Sequence, residues 1–152
     1  MQNQLVQFNA EYAAAIDEDR LEDWPSFFTE QGCYRVTTKA NHARGLPAGL
    51  IFADSRAMLA DRVLSLRQAN VYEAQAYRHV VGLPRVLAND GDVARVSTSF
   101  VVFRINRDGT TDTFATGQYL DEVVQESGQL RLRRRDVICD SSRIDTLLAI
   151  PL

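Results

Sequence analysis

Two histidines and two cysteines are the side chains of this 152-residue sequence with the most demanding chemistry open to them. A Rieske cluster takes two Cys and two His, and a mononuclear iron of the facial-triad type takes two further His and a carboxylate. Cys33, Cys139, His42 and His79 cannot supply both centres, and neither cysteine stands at ligand spacing from a histidine. A lone triad of His42, His79 and one carboxylate is arithmetically available, but no motif links a histidine in a loop to one at the start of a strand. No cofactor or metal is therefore expected in this chain. Nucleotide chemistry is equally unsupported, since no glycine-rich loop follows a strand and opens a helix, and no nucleophile elbow is present. General acid–base chemistry is harder to dismiss. His79 as base with Tyr34, Tyr72 or Tyr119 as hydrogen-bond donor could isomerise or dehydrate a small molecule inside a closed fold. No paired carboxylates accompany it, so His79, beside Arg78, reads more simply as a structural or interfacial histidine.

The elements that must position these residues are organised around residues 79 to 140. Asp90-Gly91, Asp108-Gly109 and Ser127-Gly128 separate four runs rich in Val, Phe, Thr and Leu, the pattern of consecutive antiparallel hairpins. Counting outward from each pair as the centre of its turn sets Phe103 opposite Phe114, Glu122 opposite Arg133 and Asp121 opposite Arg134. Such cross-strand pairs contribute roughly 0.2–1 kcal/mol each. From Ala94 the even positions Val96, Phe100 and Val102 are apolar, but so are the odd positions Val101, Phe103 and Ile105. Both faces there call for cover, by a phase-switching bulge or by another subunit.

Ahead of the meander, Leu5, Phe8, Tyr12 and Ile16 have helical spacing over residues 4 to 16. A short helical piece follows with Leu21, Trp24, Phe27 and Phe28 on one side, broken or opened by Pro25. Cys33 to Thr37 reads as a strand and residues 38 to 53 as a loop. Asp54 reads as the N-cap of a helix carrying Met58, Leu59, Val63 and Leu66 to about Ala69. The apolar ending from Leu147 to Leu152 calls for docking against the domain or a neighbour, because termini are ordinarily polar and frayed.

With 45% hydrophobic and 24% charged residues and a net charge of −3, the sequence describes a single domain, residues 1–152, large enough to bury a sizeable core. That charge gives no electrostatic reason to expect nucleic acid or an anionic membrane, and no apolar run approaches the ~18 residues of a membrane span. Met1 to Asn9 has neither a basic n-region nor an apolar h-region, so free thiols and a cytoplasmic location are expected. Helix, short helix, strand, helix and then a curved antiparallel sheet is an α+β cone, with helices packed into the concave side of the sheet. Nuclear transport factor 2, ketosteroid isomerase and scytalone dehydratase have folds of this kind.

The runs Trp24-Pro25-Ser26-Phe27-Phe28-Thr29, Cys33-Tyr34-Arg35-Val36-Thr37, Asn41-His42-Ala43 with Gly45-Leu46, Tyr77-Arg78-His79 before Gly82-Leu83-Pro84, and Cys139-Asp140-Ser141 through Asp145-Thr146-Leu147 to Pro151-Leu152 form a collinear set. Together they resemble the small (β) subunit of aromatic-ring-hydroxylating dioxygenases over essentially the whole chain. The resemblance implies a non-catalytic subunit with no cofactor of its own. It also implies a partner α subunit carrying a Rieske [2Fe-2S] cluster and mononuclear Fe(II), an α3β3 hexamer and a separate reductase drawing on NAD(P)H. The members most like it dihydroxylate aromatic carboxylates, terephthalate among them. Subunit contacts are then expected at Arg78, His79, Phe100, Phe103, Leu147, Leu148, Ile150 and Leu152.

Overall fold

Leu5, Phe8, Tyr12 and Ile16 fall on one side of helix α1 (Gln2–Asp17), as their spacing requires, and all four are buried. The computed structural model describes residues 1–46, 49, 51–69, 76–142 and 150–152. After α1 comes a 3-10 helix (Leu21–Phe27) with Pro25 inside it, which seats Trp24 at 0% exposure. The chain continues as β1 (Phe28–Thr38), α2 (Lys39–Ala43), β2 (Ile51–Ala53), α3 (Arg56–Gln68), β3 (Ala76–Val81), β4 (Arg85–Asn89), β5 (Ala94–Ile105), β6 (Thr111–Glu126) and β7 (Gln129–Cys139). The segment read as a plain loop thus contains α2, opened by Thr38 whose Oγ1 accepts from Asn41 N at 3.1 Å, and β2. Ser55 rather than Asp54 caps α3, its Oγ accepting from Met58 N at 3.2 Å.

The sheet has the order β2-β1-β7-β6-β5-β3, with β4 also pairing β5, so the first meander strand is interrupted at Gly82-Leu83-Pro84 and both halves lie on the same neighbour. It is not wholly antiparallel. β1 runs parallel to β7, a pairing that needs a long crossover, and the remainder of the meander supplies one.

Two of the sheet's register shifts alter the pairings counted from the last two turns. Around Asp108-Gly109 the turn is wider than two residues: Asn106 N donates to Thr110 O at 2.8 Å, Gly109 N donates to Asn106 O at 2.9 Å, and Gly109 takes φ 88°. Phe103 consequently pairs with Thr113, and Phe114 is the extra residue that restores the expected register at Val102 and Ala115. Ser127-Gly128 is a two-residue turn with φ 53° and 78°, the left-handed pair that matches the twist of a hairpin. Pairing follows the count as far as Val123 opposite Leu132. Arg133 then bulges out, Glu122 faces Arg134 and Asp121 faces Arg135. Arg133 still reaches Glu122 at 2.8 Å.

Helix α1 lies across the inner face of the sheet. The concavity is packed by Tyr34 and Val36 of β1, Val96, Phe100 and Val102 of β5, Tyr119 of β6 and Leu132 and Val137 of β7, together with the aromatic residues of α1 and the 3-10 helix. No helix of the described residues is long and apolar enough to cross a membrane.

Candidate functional site

The stripe that buries α1 has polar residues in it. Asn9 falls one turn beyond Leu5 on the same side of the helix, Asp17 is its last residue at the margin of the stripe, and each meets a partner from the sheet. Asn9 Oδ1 accepts from the Arg135 guanidinium at 2.8 Å. Arg135 donates twice to Asp121, Nε to Oδ1 and NH2 to Oδ2, both at 2.8 Å. It is wholly buried, with its guanidinium carbon 4.0 Å from the Tyr119 ring centroid and 4.3 Å from that of Tyr12. Burial works against this charge, but the Asp121 carboxylate more than offsets it, so Arg135 is held above its ordinary value and stays protonated.

At the end of α1, Asp17 accepts the backbone N–H of His79 at 2.8 Å and lies 2.7 Å from His79 Nδ1. A carboxylate can only accept, which places a proton on Nδ1 and leaves Nε2 without a hydrogen-bond partner in the structure. This is how a histidine base is oriented. The ring is fully enclosed, however, and a base that acts on substrate needs room at Nε2. The rest of the concavity is also filled. Trp24 Nε1 donates to Tyr12 OH and Tyr12 OH to the Leu152 carbonyl, each at 3.0 Å. Tyr34 OH accepts from Leu152 N at 3.0 Å. Trp24, Phe28 and Tyr34 pack edge to face.

The residues expected at subunit contacts fall in different places in the fold. His79, Phe100 and Leu152 belong to the chain's own interior: His79 is held by Asp17, Phe100 stacks on Tyr119 at 4.6 Å, and Leu152 is 0% exposed between the tyrosine hydroxyls. The even positions of β5 face inward, which is why Phe100 is covered by the domain itself. Arg78 is exposed, while Phe103 and Ile150 are half-buried. Leu147, Leu148 and Tyr72 lie outside the described residues. Among the described residues no three His, Cys, Asp or Glu side chains converge on a metal site. His42, in α2, lines a groove with Arg95, Glu122 and Arg134, and His79 is not among the residues that line it.

Cys33 and Cys139 are free thiols. Burial, with Asp140 adding to it, pushes Cys139 up to about 11, and burial also raises Cys33. Thiolates are the reactive form, so iodoacetamide at pH 8 is expected to leave Cys139 unmodified in the folded protein and to alkylate it once urea unfolds the chain. Mass spectrometry of both samples decides this. The folded thiol holds its proton more tightly than the unfolded one. Its contribution to stability is therefore complete below the ordinary 9.0 and is lost as pH rises towards 11. Burial raises Tyr12, Tyr34 and Tyr119 as well, with the same sign.

The family described as "Ring hydroxylating beta subunit" matches residues 11–146. The chain belongs to this family. Among relatives, the terephthalate 1,2-dioxygenase terminal oxygenase component subunit beta 1 of a Comamonas species is 50% identical over 149 residues, covering 98% of this β subunit and 97% of that one. The crystal structure of a protein assigned as an aromatic-ring-hydroxylating dioxygenase β subunit, from Novosphingobium aromaticivorans, matches with TM-score 0.92 and 40% identity over 99% of this chain and 96% of that one. A protein of the same organism assigned as a scytalone dehydratase shares the fold alone, with TM-score 0.67 at 15% identity over 91% of this chain and 83% of that one. The cone fold read from element order is thus the fold of this β subunit. Asn9, Asp17 and Arg135, which help to fix its interior, are the residues that sequence reasoning passed over, and Asp121 was matched to the wrong arginine. A signal was present in Asn9, a polar position on an apolar stripe.

Proposed function

We propose that this β subunit is a structural, non-catalytic component of the terminal oxygenase of an aromatic-carboxylate 1,2-dioxygenase, with terephthalate as substrate. Its partner is a large (α) subunit holding the Rieske [2Fe-2S] cluster and mononuclear Fe(II). The two assemble as α3β3 in the cytoplasm, and a separate reductase passes electrons from NAD(P)H. The nearly full-length likeness to the terephthalate dioxygenase β subunit carries this reading. The packed interior supports it, because a chain whose concavity is filled by Trp24, Tyr34 and Leu152 has its surface left to work with. The test is a tagged pull-down on this chain from its native cytosol, with the mass and visible spectrum of the complex recorded together. A larger chain in equal amount, red-brown absorbance and terephthalate turnover with reductase are expected. A colourless chain eluting alone would refute the reading.

The Asp17–His79 pair favours one alternative, a stand-alone isomerase or dehydratase using His79 with Tyr119. His79→Ala separates the two. On the structural reading it costs about 1–3 kcal/mol of stability by stranding the Asp17 carboxylate, while turnover per assembled complex persists. On the alternative, the isolated chain has an activity and the substitution abolishes it.

A further inference from the structure

Leu152 belongs to no helix or strand, yet it is fully buried, in the same apolar cluster as Trp24, Phe28 and Leu59. Its main chain is held as a ligand would be. Tyr34 OH accepts from Leu152 N at 3.0 Å and donates to Leu152 O at 3.2 Å, and Tyr12 OH donates to the same oxygen at 3.0 Å. Each hydroxyl has one proton, and its direction is fixed by what the hydroxyl oxygen already accepts: Trp24 Nε1–H for Tyr12, Leu152 N–H for Tyr34. Two donors, one from α1 and one from β1, therefore converge on a single acceptor oxygen. Burial raises both tyrosines and keeps their hydroxyls protonated. The Arg135 guanidinium, 4.3 Å from the Tyr12 ring centroid, makes that hydroxyl the stronger donor. Fixed donors aimed at one point inside an apolar concavity are how proteins recognise a carbonyl oxygen.

We propose that the concavity of this β subunit is a binding site for a small branched carbonyl compound, and that residues 150–152 are its resident occupant, displaced when such a compound binds. What Leu152 offers defines the ligand class: one acceptor oxygen for Tyr12 and Tyr34, and an isobutyl-sized body for the apolar wall. A charged ligand is not called for, because the nearby Arg135 is already paired with Asp121. An empty concavity would leave both hydroxyls buried without an acceptor, so either the segment or a ligand must fill it. The site goes beyond the assembly role and does not depend on it.

The probe is isoamyl methyl ketone, whose carbonyl and isobutyl end have the spacing of a leucine residue. Its control is the hydrocarbon with a methyl-bearing carbon in place of the carbonyl. In the whole chain, purified with whatever subunits accompany it, Leu152→Cys keeps the main-chain contacts. Iodoacetamide should modify position 152 faster in excess ketone, as read by mass spectrometry, while Cys139 stays unmodified. With residues 150–152 removed, the chain should bind the ketone saturably and with a rise in Tm. Tyr34→Phe in that background should weaken ketone binding about three- to tenfold, the worth of one hydrogen bond, and leave the hydrocarbon unaffected. Equal binding of ketone and hydrocarbon would overturn the proposal, because the site would then be an apolar cavity and nothing more. So would alkylation at position 152 that excess ketone leaves unchanged or slows, a result the whole chain gives whether or not the shortened one folds. Modification of Cys139 together with position 152 counts against it equally, since the ketone would then be unfolding the chain.

Discussion

Replacing Asp121 by Ala is expected to lower the unfolding free energy of the β subunit by about 3–5 kcal/mol, the cost of stranding one member of a buried ion pair. Arg135 would remain, wholly enclosed between Tyr12 and Tyr119, with Asn9 as its remaining hydrogen-bond acceptor. The guanidinium cannot escape by losing its proton, so the loss appears in full as instability. For a chain of this size that corresponds to a fall of roughly 6–20 °C in Tm. Arg135→Met with Asp121→Leu should recover most of it, because a well-packed apolar pair is often neutral or better. Urea unfolding of the three proteins decides the matter, and a loss under about 1 kcal/mol for Asp121→Ala would show that the pair is not what holds α1 to the sheet.

That pair also marks where sequence reasoning stops. Turn chemistry gives Ser127-Gly128 its two left-handed residues, and the register counted from it is right as far as Val123 and Leu132. One bulged residue, Arg133, then exchanges the roles of the two residues after it: Arg134 faces out and Arg135 faces in. Four arginines within five positions look alike to a periodicity argument, and a bulge inverts face as surely as a one-residue slip does. The helices were legible because their stripes are long and their caps chemically specific, although Asp54 and Ser55 compete and the hydroxyl wins. The parallel β1–β7 pairing had no local signal, since it depends on where the chain returns after the whole meander. His79 could be named as the histidine able to do chemistry, but the carboxylate that orients it lies 62 positions away. Arg78 lies on the surface, whereas Phe100 and Leu152 are drawn into a core that the same aromatic residues help to build.

A second substitution should be nearly as damaging while touching no charge. Gly117 lies midway along β6, opposite Phe100 on β5 and Cys139 on β7. A Cβ built there would meet the Ile138 carbonyl oxygen at 2.0 Å and Cys139 Cα at 3.0 Å. Ordinary C···O contacts are no closer than ~3.3 Å, so Gly117→Ala requires β7 to retreat by on the order of 1 Å. That strand has little freedom to do so. Its other side is paired with β1 through Thr37 opposite Ile138 and Thr38 opposite Cys139, and just beyond, Asp140 N donates to Thr116 O at 2.8 Å. Close backbone approach is a reason for glycine inside a strand, and the expected cost is about 3 kcal/mol, the upper end of overpacking. Gly82→Ala is the control, because its Cβ would find Ser99 O at 3.4 Å, an ordinary contact. The diagnostic readout is Cys139. If β7 is forced away from β6, iodoacetamide should reach this thiol in the folded Gly117→Ala protein and not in Gly82→Ala. Equal protection and equal stability in the two variants would show that the sheet yields at Gly117 without opening.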